Sequence, residues 1–169
     1  MKQSPLEHVL TSAYKVEMMS FIENHPECVD EAINLAVSNK QPYAWRAAWL
    51  LWSCIEENDL RIRKYIDRII ETLNTVQDGH LRELLKILLM MKLNEKQEGL
   101  LYNLCVSVWE KVGKRPSVRY TALKMMVKII KKYPELRSEL NLLTQKEYLE
   151  SLSPGVKKSL MKLLKQLPE

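Results

Sequence analysis

The sequence predicts an all-α chain of paired helices stacked side by side, and three observations lead there. Apolar residues recur at the 3.6-residue spacing of a helix face, and no stretch shows the strict alternation of a strand. Leu occurs 27 times in 169 residues, whereas the chain holds only four Gly and seven Pro, a balance that favours helix over sheet. The breakers Pro42, Gly79, Pro116 and Pro154 lie 37, 37 and 38 residues apart. A period near 37 with two helices per unit predicts an α-solenoid, an α-α superhelix whose stacked hairpins share one continuous core.

Taken in order, the breakers delimit nine helices, because proline is tolerated in a first helical turn and breaks an interior. Pro5 opens the first, over 5–24, which precedes the repeats and caps the open end of the stack. Pro26 and Pro42 open 27–38 and 42–57, the first hairpin. The Glu57-Asn58-Asp59 turn ends that hairpin and starts 60–75, which pairs with 78–92 across Gly79. Gly99, Gly113 and Pro116 frame 98–112 and 116–133, and Pro134 and Pro154 open 135–150 and 154–167. The expected repeats are therefore 27–57, 60–92, 98–133 and 135–167, within one domain over 1–169. The helix at 116–133 shows the pattern best: Val118, Ala122, Met125, Met126, Ile129, Ile130 and Tyr133 share one face, and Thr121, Lys124, Lys128 and Lys131 take the other.

Composition narrows the class. With 46% apolar and 28% charged residues the chain is neither disordered nor collagen-like. The longest apolar runs, Ala47 to Trp52 and Ile87 to Met91, fall far short of the roughly 20 residues a membrane span needs, so no membrane partner is expected. The residues from Met1 to His8 are polar where a secretory signal carries its apolar core. Cys28, Cys54 and Cys105 are odd in number and sit within apolar patterns, which reads as reduced core thiols and points to the cytoplasm.

A cation follows each breaker by three or four residues: Arg46, Arg82, Arg119 and Lys157, each preceded by an apolar residue, Trp45, Leu81, Val118 and Val156. The starts Trp45-Arg46-Ala47-Ala48 and Val118-Arg119-Tyr120-Thr121-Ala122 resemble the second helix of HEAT repeats. The layout from about 27 to 167, with its Ser151-Leu152-Ser153-Pro154-Gly155-Val156-Lys157-Lys158 ending, is similar to small bacterial HEAT-like proteins of undescribed function. It departs from the HEAT pattern in lacking the usual turn aspartate in most repeats, Asp78 being the best candidate, and in placing Glu83-Leu84-Leu85 after the second cation. The resemblance implies a non-catalytic, monomeric interaction scaffold that binds a protein partner on a concave face lined by the second helices, and it implies no cofactor.

Trp45, Trp49 and Trp52 stand at i, i+4 and i+7. Aligned on the cation they match Leu81, Leu85 and Leu88, then Val118, Ala122 and Met125, so they read as core rather than as an aromatic cage. Charge is divided unevenly: residues 1–110 hold 12 Lys/Arg and 16 Asp/Glu, net −4, and residues 111–169 hold 14 and 5, net +9. Projected onto the helix period, the inner stripe carries Ala47, Leu51 and Cys54, then Glu83, Ile87 and Met90, then Tyr120, Lys124 and Val127, then Lys158, Lys162 and Lys165. The partner-binding residues expected on it are Glu83, Tyr120, Lys124, Lys128, Lys158, Lys162 and Lys165. They form either a solvated lysine face or a groove for an acidic protein segment or a nucleic-acid backbone.

Signatures of an enzyme are missing. His8, His25 and His80 lie in different elements without a metal-ligand spacing, no Gly-rich phosphate loop exists, and Cys54 and Cys105 have apolar neighbours. The alternative kept is a sequence-independent nucleic-acid binder resembling the HEAT-like DNA alkylation-repair glycosylases, for which Trp109, Glu110, Arg115 and Arg119 are the nearest ingredients. Trp109 and Glu110 fall on a first helix, away from the expected groove.

Overall fold

The computed structural model describes residues 3–167, and among them every regular element is helical. Two compact units divide at Lys92 and Leu93.

The first unit runs through α1 (Pro5–Ser12), α2 (Lys15–Asn24), a 3₁₀ turn (Pro26–Cys28), α3 (Val29–Ala36), α4 (Tyr43–Cys54), α5 (Leu60–Arg63), α6 (Ile66–Thr72) and α7 (Asp78–Leu89). The single helix expected over 5–24 is two. Ala13 and Tyr14 are extended, with ψ of 155° and 167°, and the Glu17 carboxylate accepts the Tyr14 N–H at 2.7 Å. A carboxylate three residues past the break satisfies a backbone donor that a continuous helix would have used, so the chain restarts there. The helix over 60–75 also breaks, at Lys64-Tyr65, into α5 and α6. The turn ahead of α5 behaves as expected. Asn58 takes φ 57°, a left-handed value that Asn tolerates. Its N–H donates to Met90 O at 2.8 Å and its side-chain oxygen accepts the Lys92 N–H at 3.2 Å, tying the turn to the end of α7.

α4 packs against α3 on one side and α7 on another, and its buried residues explain how. Ala44, Ala47, Ala48, Leu50 and Leu51 are at most 2% exposed, and so are small side chains over most of that face. Small residues let neighbouring helices approach closely, and dispersion gains accumulate over the many contacts that result. In α7 the buried residues Leu81, Leu84, Leu85, Ile87 and Leu88 stand 37 positions further on, one for one. The repeat in burial thus runs from breaker to breaker.

The second unit contains α8 (Glu95–Glu110), α9 (Pro116–Ile130), a 3₁₀ turn (Pro134–Leu136), α10 (Arg137–Leu143), α11 (Lys146–Leu149) and α12 (Pro154–Leu164). Asn94 and Gln97 cap α8 reciprocally, at 2.9 and 3.0 Å, and Ser153 caps α12 ahead of Pro154. The helix expected over 135–150 is broken at Thr144-Gln145. α9 packs on α8 and on α12. Val118, Ala122, Met125, Met126, Ile129 and Ile130 are all buried, as the periodicity predicts; Thr121 is buried too, its hydroxyl donating to Ser117 O at 2.9 Å. No helix among the described residues is long and apolar enough to cross a membrane.

Candidate functional site

α9 and α12 carry no Asp or Glu. Along their outer edges stand most of the residues expected to face a partner. Lys124, Lys158, Lys162 and Lys165 are exposed, and Tyr120 and Lys128 are half-buried. The Lys124 ammonium lies 5.0 Å from the Tyr120 ring, and the Tyr120 hydroxyl reaches Ser159 O at 3.4 Å, bridging the two helices. Lys131 extends the row and donates to Gln166 Oε1 at 3.3 Å.

Glu83 does not belong with that row. It is wholly buried, and its carboxylate accepts the Trp52 indole N–H, the Arg82 guanidinium at 2.7 Å and the Lys86 ammonium at 3.2 Å. A buried charge persists only when paired and hydrogen-bonded, as this one is. Position 83 therefore stitches α4 to α7, and the neighbouring Arg82 and Lys86 keep about a third of their side chains in solvent. The rest of the apolar inner stripe is corrected likewise: Ala47, Leu51, Ile87 and Val127 are at most 2% exposed, and only Cys54 and Met90 are half-buried.

The tryptophans depart from expectation in the opposite sense. Trp45 is 40% exposed, and Trp49 and Trp52 are half-buried. Alignment on the cation puts them one position out of step; alignment on the breakers matches Trp45, Trp49 and Trp52 with Arg82, Lys86 and Leu89, which are half-buried as well. The sequence held a usable signal: Ala44, Ala47 and Ala48 mark the close-packed face of α4, which leaves the indoles on its flank. Cations cover the rings. Arg46 lies 5.5 Å from the Trp45 ring, Lys15 5.5 Å from Trp49 and Lys86 4.1 Å from Trp52.

Two of the repeat-start cations, Arg46 and Arg119, serve the backbone. Arg46 donates to Leu10 O at 2.6 Å. Arg119, fully buried, donates to Trp109 O at 2.9 Å, Tyr148 O at 2.8 Å and Ser151 Oγ at 2.9 Å and stacks 4.5 Å from the Trp109 ring. Trp109 is itself buried and donates to Leu143 O at 2.6 Å. Two of the four glycosylase-like ingredients are thus internal struts, while Glu110 and Arg115 are exposed.

Of the thiols, Cys105 is buried, Cys28 and Cys54 are half-buried, and burial pushes all three above the ordinary thiol value, which removes thiolate. His80 is buried between α3 and α7. Its Nε2 donates to Ala36 O at 2.7 Å, and Nδ1 accepts from the Gln41 amide at 3.1 Å, whose oxygen in turn faces the Trp45 N–H at 3.3 Å. Burial holds it below the usual histidine range as a neutral ring. Among the described residues no group of three His, Cys, Asp or Glu is placed to hold a metal ion. A cleft beside Cys54, lined by Ile22, Glu23, Val29 and Arg61, measures about 90 Å³, well under the roughly 300 Å³ at which small-molecule sites begin.

A family model described as the HEAT repeat domain matches residues 3–167. No curated protein and no solved structure matches the chain.

Proposed function

The chain belongs to the HEAT repeat domain family, whose repeats are commonly protein-interaction scaffolds, and from that premise we propose that it is a non-catalytic scaffold holding an acidic protein segment along the edge of α9 and α12. Tyr120, Lys124, Lys128, Lys158, Lys162 and Lys165 are its contact residues. The observation that carries this reading is a row of exposed lysines on two adjacent helices that have no carboxylate of their own. Lysine suits it: a mobile ammonium attracts carboxylates loosely, whereas bidentate recognition of one anion would favour Arg.

A retention assay at low salt tests the proposal with poly-glutamate and a mixed-sequence DNA duplex as separate probes. Poly-glutamate is expected to be retained and to be released by Lys124→Glu, Lys158→Glu and Lys162→Glu together, with the helical circular dichroism unchanged. Retention of neither probe, or unaltered retention by the triple variant, contradicts it. Tighter retention of the duplex, falling steeply with salt as counterion release requires, would replace it with the nucleic-acid reading.

A further inference from the structure

We propose that the exposed flank of α4 is a second docking surface, which takes an acidic peptide with apolar side chains between its carboxylates. The inference rests on the scaffold reading but on the other unit of the chain.

The surface centres on three indoles of one helix, one of them exposed and two half-buried. Trp45, Trp49 and Trp52 span two turns of α4, about 10 Å along its axis, and Trp49 and Trp52 meet edge to face with ring centres 6.4 Å apart. The start of α2 supplies Lys15, whose ammonium lies 5.5 Å from the Trp49 ring, and Trp45 is 40% exposed. Exposed aromatic and aliphatic groups gathered in one place mark binding surfaces, whereas scattered ones do not.

Charge selects the partner. Lys15, Arg46, Arg82 and Lys86 surround the indoles. The two carboxylates bonded within this group are already engaged, Glu83 by Trp52, Arg82 and Lys86 and Glu17 by the Tyr14 N–H. Lys15 and Arg46 bond no carboxylate among the described residues, so they leave positive charge beside the indoles, which complements an acidic chain. The same cations decide between classes of ligand. Base stacking needs an open aromatic face, and here Arg46, Lys15 and Lys86 lie over the three rings. Trp45 keeps 40% of its surface in water, where a Leu or Phe side chain can pack while carboxylates on the neighbouring residues reach Lys15 and Arg46.

The test is fluorescence anisotropy on the full chain with a labelled peptide of three Asp-Leu-Glu-Phe repeats. Comparators are the same peptide with Lys at every acidic position, an Asp/Glu peptide without apolar residues, and oligothymidine. The first peptide is expected to bind at least about tenfold more tightly than any comparator, a gap of about 1.4 kcal/mol. Lys15→Glu with Trp45→Ala, both at exposed positions, is expected to weaken it about tenfold or more with the melting temperature kept. Lys158→Glu with Lys162→Glu is expected to leave it unchanged. Absence of binding overturns the proposal, as does oligothymidine binding that depends on Trp45. Binding that is lost only in the Lys158/Lys162 variant also overturns it, while leaving the lysine-edge reading of the second unit standing.

Discussion

α4 and α9 occupy the same step of the repeat, each opening at a proline with a cation shortly after, yet they bury different chemistry. In α9 the cation goes inside: Arg119 is fully buried and joins α8, α11 and the Ser151 turn through three hydrogen bonds. In α4 the cation makes one backbone hydrogen bond, to Leu10, and its Nε has no partner. The aromatic residues on the same helix stay near the surface, where α9 has Leu123 and Met126 buried at the breaker-aligned positions. Breakers and apolar spacing set where a helix lies; the volume of its packing face sets how far it sinks. Alanines draw α4's neighbours close and leave its indoles outside, whereas the larger buried residues of α9 are packed around its arginine.

The largest effect expected from this contrast is at the arginines. Arg119→Met removes three hydrogen bonds, one of them to the buried Trp109 carbonyl and one to the part-buried Tyr148 carbonyl, so it should cost about 3–5 kcal/mol in urea unfolding. Arg46→Met, losing one, should cost about 1–1.5 kcal/mol. Equal costs at the two positions would show that the arginines do equivalent work and that the contrast is superficial.

Next in size is a pH effect confined to the first unit. His80 is neutral when folded and held below its ordinary value near 6.5 by burial, so the unfolded chain binds a proton that the folded chain resists. Stability is therefore retained above pH 6.5 and falls as pH drops below it, by at most about 1.4 kcal/mol per pH unit from this one group. A second proton on the ring would also oppose two donors, the new Nδ1–H and the Gln41 amide. His80→Gln should flatten the slope between pH 6.5 and 5 in a series of melts; an unchanged slope assigns it to other groups.

The smallest stability effect expected is at Trp45. With 40% of its surface in water, Trp45→Ala should cost less than about 1 kcal/mol, whereas the buried Trp109→Ala should cost about 3–5 kcal/mol. Comparing their melting temperatures sharpens the distinction between an aromatic residue kept for its surface and one kept for the core.

Much of this was legible in the sequence. The fold class and the 37-residue period follow from breakers and apolar spacing, and so do the bounds of α4, α7, α8, α9 and α12 to within a few residues. The cap helix and the first helices of the second and fourth hairpins differ from the expectation. α1/α2, α5/α6 and α10/α11 are each broken in two without a Gly or Pro, at Ala13-Tyr14, Lys64-Tyr65 and Thr144-Gln145, because side-chain and backbone hydrogen bonds to the interrupted turns replace the helical ones. Glu83 is buried because Trp52, Arg82 and Lys86 pair its carboxylate, which no spacing reveals, whereas the tryptophans differ from expectation because the cation after Pro42 comes one residue later than the one after Gly79. Aligning on charge rather than on the breakers therefore rotates a helix by about 100°. Lys124, Lys158 and Lys162 are exposed as the helix period predicts, because a long charged side chain keeps its ammonium in water.

The most direct measurement is a titration of the ¹⁵N-labelled chain with the Asp-Leu-Glu-Phe peptide, read at the indole N–H signals of its four tryptophans. Trp45 and Trp49 should shift, and Trp109, locked to Leu143 O inside the second unit, should stay still. All four signals unmoved at saturating peptide, or movement of Trp109 alone, would contradict a docking surface on α4.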